Sequence, residues 1–207
     1  MTCAILLAAG RSQRMGCQKL LLPFAGRTVV GHIARELLAS GLDHTIVVVG
    51  KDATLIADAL RQATKGEGGR LTIITNPDLE ADMLSSVRCG LRALPDACDT
   101  VLVALGDQPS ITARLIDQLL AAFSTAAGGI LVPVYDGETG HPILFSTRYR
   151  REVLTCYDSV GLRGLLQGHP DDVVELPVED SAILSDMDYP EDYRKELERQ
   201  SALKTDR

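Results

Sequence analysis

Ala4-Ile5-Leu6-Leu7-Ala8-Ala9-Gly10-Arg11-Ser12-Gln13-Arg14-Met15-Gly16-Cys17-Gln18-Lys19-Leu20 is the stretch that decides the fold. Its first five residues are apolar with no polar alternation, which reads as a short strand (residues 4–8) buried on both faces. Gly10 stands at the carboxyl end of that strand, where a missing Cβ lets the backbone turn and approach a ligand closely. Ala8 and Ala9 are small enough to leave room beside it, and Gly16 allows a second tight turn. Arg11, Arg14 and Lys19 then place three cations in one loop. Ligands of open α/β sheets bind outside the carboxyl ends of the strands. Successive backbone N–H groups with Arg and Lys heads would cradle a triphosphate there.

Two commoner nucleotide loops are absent. A dinucleotide fingerprint needs Gly-x-Gly-x-x-Gly, and position 12 is Ser12. A Walker-type loop needs Gly-Lys-Ser/Thr, whereas Lys19 stands three residues past Gly16 and Leu20 follows it. Spacing alone leaves open a surface loop with incidental basic residues.

Outward from this stretch, apolar runs at 45–49, 71–75 and 101–105 repeat the buried-strand pattern. Between them lie segments of helical period: one carrying Val29, Ile33 and Leu37, then 53–63, 82–94 and 112–123, the last with Thr112 as a suitable N-cap. Such alternation predicts βαβ units, a parallel sheet and helices on both faces. Residues 65–70 read as a flexible connection, because the alternation resumes after them. Past residue 128 the pattern changes. Runs at 130–135 and 142–145, joined by Asp136-Gly137-Glu138-Thr139-Gly140, leave no room for a crossover helix and predict a hairpin. Helical segments at 148–155 and 160–166, a strand at 173–178 and a terminal helix at 191–199 complete the chain. With 207 residues and no internal repeat, one domain over 1–200 with a tail at 201–207 is expected.

Composition excludes several classes of function. The chain has 28 acidic and 21 basic side chains, a net charge of −7, which argues against a general binder of nucleic acid or anionic membrane. A hydrophobic fraction of 45% with 24% charged residues argues against disorder. The five cysteines include no Cys-x-x-Cys pair, so neither a zinc cluster nor a disulfide framework is indicated. The first residues carry no basic leader and their apolar run is too short to span a bilayer, so the cytoplasm is the expected compartment. Charge is unevenly spread. No acidic residue occurs before Glu36, whereas residues 171–192 hold nine carboxylates and no Lys or Arg. Composition does not choose between two solvated faces and an anion site facing a carboxylate-held metal.

The loop 7–16 followed by Lys19-Leu20-Leu21-Leu22-Pro23 resembles the signature of the sugar-nucleotide and cofactor nucleotidyltransferases. Within them it looks most like the molybdenum cofactor cytidylyltransferase branch. Ser85-Ser86-Val87-Arg88-Cys89-Gly90-Leu91, Gly106-Asp107-Gln108-Pro109, Gly140-His141-Pro142 and Asp186-Met187-Asp188-Tyr189-Pro190-Glu191-Asp192 match in the same order. The resemblance runs from about Ala4 to Tyr193. It implies a single three-layer Rossmann-like α/β domain, its twisted sheet mostly parallel with an antiparallel part toward the C-terminal half.

The resemblance also implies roles. Leu7, Ala8, Ala9, Gly10, Arg11, Ser12 and Ser86 would bind the nucleotide, and Arg14 and Lys19 would act on its phosphates. Asp107, with Asp186 or preferably Asp188, would hold Mg2+, an ion usually bound by one or two carboxylates plus substrate phosphates. Asp107 follows the strand at 101–105 through Gly106, which puts its carboxylate at the same sheet end as the basic loop. His141 and Arg163 would lie toward the acceptor. Ala8-Ala9-Gly10 and Gln18-Lys19 resemble the CTP-using branch rather than the guanylyltransferases. Asp82-Met83-Leu84 departs from the Gly-Met-Ser found ahead of the serines in many relatives. The implied partners are a nucleoside triphosphate, CTP favoured, a molybdopterin-type phosphate acceptor and a recipient molybdoenzyme. A GTP-using or other small-molecule nucleotidyltransferase, and a non-catalytic nucleotide- or pterin-binding accessory protein, are the competing readings. Structural readings stand beside the functional ones: Asp107 as a loop residue ahead of the Thr112 helix, Ser86 as part of a helix start, His141 as a core histidine.

Overall fold

Thr2–Ala8 forms the central strand β1. In the computed structural model, residues 1–67, 69–78 and 82–205 are described. Of the connection expected at 65–70, Gly68 lies outside the described residues, as do residues 206–207 of the expected tail. After β1 come a two-stranded ribbon, β2 (Pro23–Phe24) and β3 (Arg27–Thr28), and helix α1 (Val29–Ala39). Then follow β4 (His44–Val49), α2 (Ala53–Ala63), β5 (Leu71–Thr75), α3 (Met83–Arg92), β6 (Thr100–Leu105) and α4 (Ala113–Thr125). The later half holds β7 (Ile130–Tyr135), β8 (Glu138–Thr139), β9 (Ile143–Ser146), α5 (Arg150–Thr155), α6 (Arg163–Gly168), β10 (Val173–Pro177) and α7 (Pro190–Thr205).

The main sheet has the order β10-β7-β9-β6-β1-β4-β5, with β8 paired to β7. Strands β6, β1, β4 and β5 are mutually parallel neighbours. β9 runs antiparallel to both β6 and β7, and β10 is parallel to β7. Only β8 and β9 are therefore reversed, as the hairpin signal anticipates. Asp136 (φ 50) and Gly137 (φ 81) make the turn between β7 and β8, both in the left-handed region that tight hairpin turns demand.

Side chains of adjacent strand residues go to opposite faces, and each face has its own core. Leu6, Val47, Leu102 and Ala104 pack with residues of α1, α2 and α4 on one side. Ile5, Val48, Val101 and Val103 pack with α3, α5 and α6 on the other. Each fully buried Val, Leu or Ile contributes about 1.5–3 kcal/mol, so the two cores together oppose the ordering entropy of the chain. Helix starts follow local chemistry: Thr28 Oγ1 accepts from Gly31 N at 3.2 Å, and Thr112 Oγ1 from Leu115 N at 3.3 Å. Asp82, the residue that departs from the family pattern, caps α3 by accepting from Ser85 N at 2.8 Å.

Two expectations need correction. The helix expected at 160–166 begins only at Arg163, because Gly161 (φ 68) holds left-handed backbone that a helix does not admit. The terminal helix expected at 191–199 runs from Pro190 to Thr205.

Candidate active site

The loop after β1 is shaped by its own hydrogen bonds. Ser12 (φ 49) and Gly16 (φ 69) bracket a single 3-10 turn at Gln13–Met15, and buried Met15 pins it to the body of the protein. Ser12 Oγ donates to Gln18 Oε1 at 2.9 Å and accepts from Lys19 N at 3.1 Å. Gln18 Nε2 donates in turn to Asp52 Oδ2 at 2.6 Å, just ahead of α2. Gly10 does not adopt left-handed backbone. A Cβ there would meet nothing within 4 Å, so its side faces open space. Gly106 differs: a Cβ would stand 2.6 Å from Leu7 O, to which Gly106 N donates at 2.9 Å. The ends of β1 and β6 therefore close on each other, which brings Asp107 beside the loop.

Lys19 is buried, and its Nζ lies 2.5 Å from Asp107 Oδ2 and 3.1 Å from Asp188 Oδ1. The other oxygen of Asp188, Oδ2, accepts from Arg14 Nη1 at 2.9 Å. The Arg14 guanidinium also sits 5.8 Å from the centroid of the Tyr189 ring. Asp188 comes from 81 residues beyond Asp107 in the chain; it is delivered by fully buried Met187, whose N–H donates to Asp107 O at 3.1 Å. Asp186 turns the other way and accepts from Gln108 Nε2 at 2.8 Å. Burial alone would lower the Lys19 pKa, but Asp107 and Asp188 together hold it above its ordinary value. The Asp186 carboxyl is raised, first by partial burial and then by the charge of Asp107. The ammonium is fixed between two carboxylates by charge-assisted hydrogen bonds, which puts charge of both signs in one small site.

Three adjoining cavities surround this centre. An outer one of about 430 Å3 is lined by Gly10, Arg11, Ser12, Gln13, Arg14, Lys19, Asp107 and Asp188. A middle one of about 310 Å3 adds Leu7, Ala9, Met83 and Ser86 to Gly10, Lys19 and Asp107. An inner one of about 600 Å3 holds Gln108, His141 and Arg163. Lys19 and Asp107 line the first two, and Asp82, Met83, Leu105 and Asp186 line the second and third, so the three form one groove. Of the sequence-predicted residues, only Ala8 lines none of them: it is buried in the core, where its small size lets the loop lie close. Ser86 lines the middle cavity but also accepts from Asn76 Nδ2 at 3.3 Å, so its structural and functional readings hold together. The sequence alone gave no role to Gln108 or Tyr189. Their partners lie tens of residues away, and the flanking motifs were their only signal. Among the described residues, no cluster of three or more His, Cys, Asp and Glu side chains is suited to a metal.

A mostly parallel α/β sheet with a basic loop facing carboxylates across its carboxyl edge is the architecture of a nucleotidyltransferase domain. Residues 4–173 match the MobA-like NTP transferase domain, and the chain belongs to that family. It is 28% identical to the molybdenum cofactor cytidylyltransferase of Escherichia coli K12, over 96% of this chain and 97% of that protein. It is 31% identical to the purine catabolism protein PucB of Bacillus subtilis, over 91% and 92%. To the nicotine blue oxidoreductase of Paenarthrobacter nicotinovorans it is 30% identical, over 80% and 81%. Among solved structures it is similar to Rv0371c of Mycobacterium tuberculosis H37Rv, with 28% identity, a TM-score of 0.78 and coverage of 95% and 97%. A second structure of that protein is a complex with manganese (27% identity, TM-score 0.74, coverage 95% and 98%). No helix among the described residues is long and apolar enough to cross a membrane.

Proposed function

We propose that the protein transfers CMP from CTP to the phosphate of a molybdopterin-type acceptor, releasing pyrophosphate, and does so in the cytoplasm. The observation that carries this reading is Lys19 Nζ, 2.5 Å from Asp107 and 3.1 Å from Asp188, where the outer and middle cavities meet. The choice of CTP and of a molybdopterin acceptor rests on Ala8-Ala9-Gly10, on Gln18-Lys19 and on the likeness to the Escherichia coli cytidylyltransferase over nearly both whole chains. A molybdoenzyme would then receive the product.

In this reaction an oxygen of the acceptor phosphate attacks the α-phosphorus of CTP. The bond from that phosphorus to the β-phosphate oxygen breaks, and pyrophosphate leaves. An acceptor phosphate is already ionised at neutral pH, so no side chain has to take a proton from it. His141, which burial holds neutral, lines the inner cavity and not the phosphate end. Lys19 and Arg14 bind and align the phosphates in the outer cavity, and Leu7, Ala9 and Ser86 line the space for sugar and base. Asp107 and Asp188 already share one cation, Lys19, which is the donor set Mg2+ requires when substrate phosphates complete its coordination. The manganese complex of Rv0371c supports a divalent ion on this scaffold. When bound, Mg2+ supplies positive charge to the reacting phosphate oxygens.

Pyrophosphate release tests the proposal, measured with purified molybdenum cofactor and CTP, GTP, ATP or UTP, with and without Mg2+. Release with CTP, dependent on both Mg2+ and the cofactor, is expected. Release with GTP alone would move the protein to another branch of the family. Tight nucleotide binding without turnover would make it a carrier.

A further inference from the structure

Asp52 is the N-cap residue of α2, and its type ordinarily caps a helix by accepting from backbone N–H groups of the first turn. Thr28, Asp82 and Thr112 do so at the starts of α1, α3 and α4. Asp52 does not. It makes no side-chain cap bond, and its Oδ2 accepts instead from Gln18 Nε2 at 2.6 Å, in the loop after β1. A carboxylate can only accept, so Gln18 must turn its amide nitrogen to Asp52 and its oxygen the other way. That oxygen, Oε1, accepts from Ser12 Oγ at 2.9 Å and from Leu20 N at 3.4 Å. With its proton so committed, Ser12 Oγ accepts from Lys19 N at 3.1 Å. One carboxylate thus sets the direction of a relay of three bonds that ends on the backbone of Lys19.

The loop needs such a brace. Ser12 holds left-handed backbone (φ 49), which a residue with a Cβ keeps only where its surroundings impose it. Both ends of the loop meet the same turn between β4 and α2: a Cβ on Gly50 would stand 2.8 Å from Ala9 O, and Asp52 grips Gln18. Between these two points Gly10, Arg11, Ser12, Gln13 and Arg14 line the outer cavity, with Lys19 just past the second. Asp52 itself lines none of the three cavities. We propose that Asp52 is a positioning residue: through Gln18 and Ser12 it fixes the loop in the shape that presents Lys19 to the phosphates, and it forgoes a helix cap to do so. The inference rests on the reading of the outer cavity as the phosphate site, to which it adds a residue outside the groove.

Hydrogen exchange and equilibrium binding of inorganic tripolyphosphate with Mg2+, both on the full chain, test it. Tripolyphosphate reads the phosphate site without regard to base or acceptor. Asp52→Ala is expected to speed exchange across residues 12–20 and to weaken tripolyphosphate binding tenfold or more, while exchange in α2 stays as in the wild type because no cap is lost. Removing a negative charge near a polyanion site would by Coulomb attraction alone strengthen binding, so the expected change has the opposite sign. Asp52→Asn keeps an acceptor for Gln18 and should bind at least as tightly as the wild type. Gln18→Met should weaken binding as Asp52→Ala does, and the two together should do no more than either, because they break one relay. Unchanged or tighter binding in Asp52→Ala, additive losses, exchange in α2 that rises with that of the loop, or an Asp52→Asn variant as impaired as Asp52→Ala would each overturn the proposal. So would a wild type that does not bind tripolyphosphate. Cofactor-dependent release of pyrophosphate from CTP by the wild type, with tripolyphosphate affinity unchanged in Asp52→Ala, would sink this inference and leave the proposed function standing. Weakened tripolyphosphate binding in Asp52→Ala, with no turnover of CTP by the wild type, would do the reverse.

Discussion

Arg14 and Lys19 hold the same carboxylate, yet their surroundings differ. Arg14 is largely exposed, and an exposed ion pair contributes about 0–1 kcal/mol to stability. Arg14→Ala is therefore expected to leave the unfolding midpoint nearly unchanged while lowering kcat roughly 100-fold, the scale of losing one donor that stabilises transition-state charge. Calorimetry and pyrophosphate release measure the two effects separately. Glu196 offers a pH test. It is buried on α7 with Ser110 Oγ donating to it, and burial raises its pKa above the ordinary value. The charged form is thus disfavoured in the folded state, and its cost to stability is present above the folded pKa and lost as pH falls through it. Glu196→Gln should raise stability at pH 7, with the gain vanishing in acid. Thermal melts from pH 7 to 4 would show this; a gain that grows toward acid would contradict it. At this scale the Lys19–Asp107 pair was legible because each sits in a short motif at a strand end. Motif position favoured Asp188 over Asp186 as the second carboxylate for Mg2+; that Asp188 bonds Lys19 while Gln108 holds Asp186 arises from tertiary packing, which the motif does not show.

The parallel strands announce themselves as pure apolar runs, and their ends fall within two residues of the expected ones. Element order within the sheet was less legible. Nothing local in 143–146 says that β9 inserts between β6 and β7, since strand neighbours are chosen by packing far along the chain. The late start of α6 turns on one left-handed residue, Gly161, that helical periodicity does not register. Close packing of elements also yields a test. A Cβ on Gly90 would stand 2.5 Å from Ile5 Cγ2, where α3 crosses β1. Gly90→Ala should cost about 1–3 kcal/mol by overpacking, read as a lower urea midpoint. Arg88, on the same helix, donates to Val153 O at 2.8 Å, to Cys156 O at 2.6 Å and to Asp158 Oδ1 at 2.5 Å. Arg88→Met should speed hydrogen exchange in residues 153–163 more than in β1; equal protection in both variants would show that the clamp is unimportant.

Across the whole molecule a basic N-terminal loop and an acidic C-terminal segment, each obvious in the charge pattern, meet at one crevice of a chain with net charge −7. The two faces of that crevice are joined through Lys19, Asp107 and Asp188. An anionic substrate must enter against the overall charge and be drawn by a local field, so the KM for CTP should rise as salt shortens the Debye length from about 10 Å to about 3 Å. Lys19→Met tests the account most directly. Pyrophosphate release from saturating CTP with Mg2+ and purified molybdenum cofactor would be compared with the wild type, circular dichroism confirming the fold. A fall in kcat of about 100-fold or more is predicted. A folded variant turning over at close to the wild-type rate would contradict the claim that this buried ammonium serves the reacting phosphates.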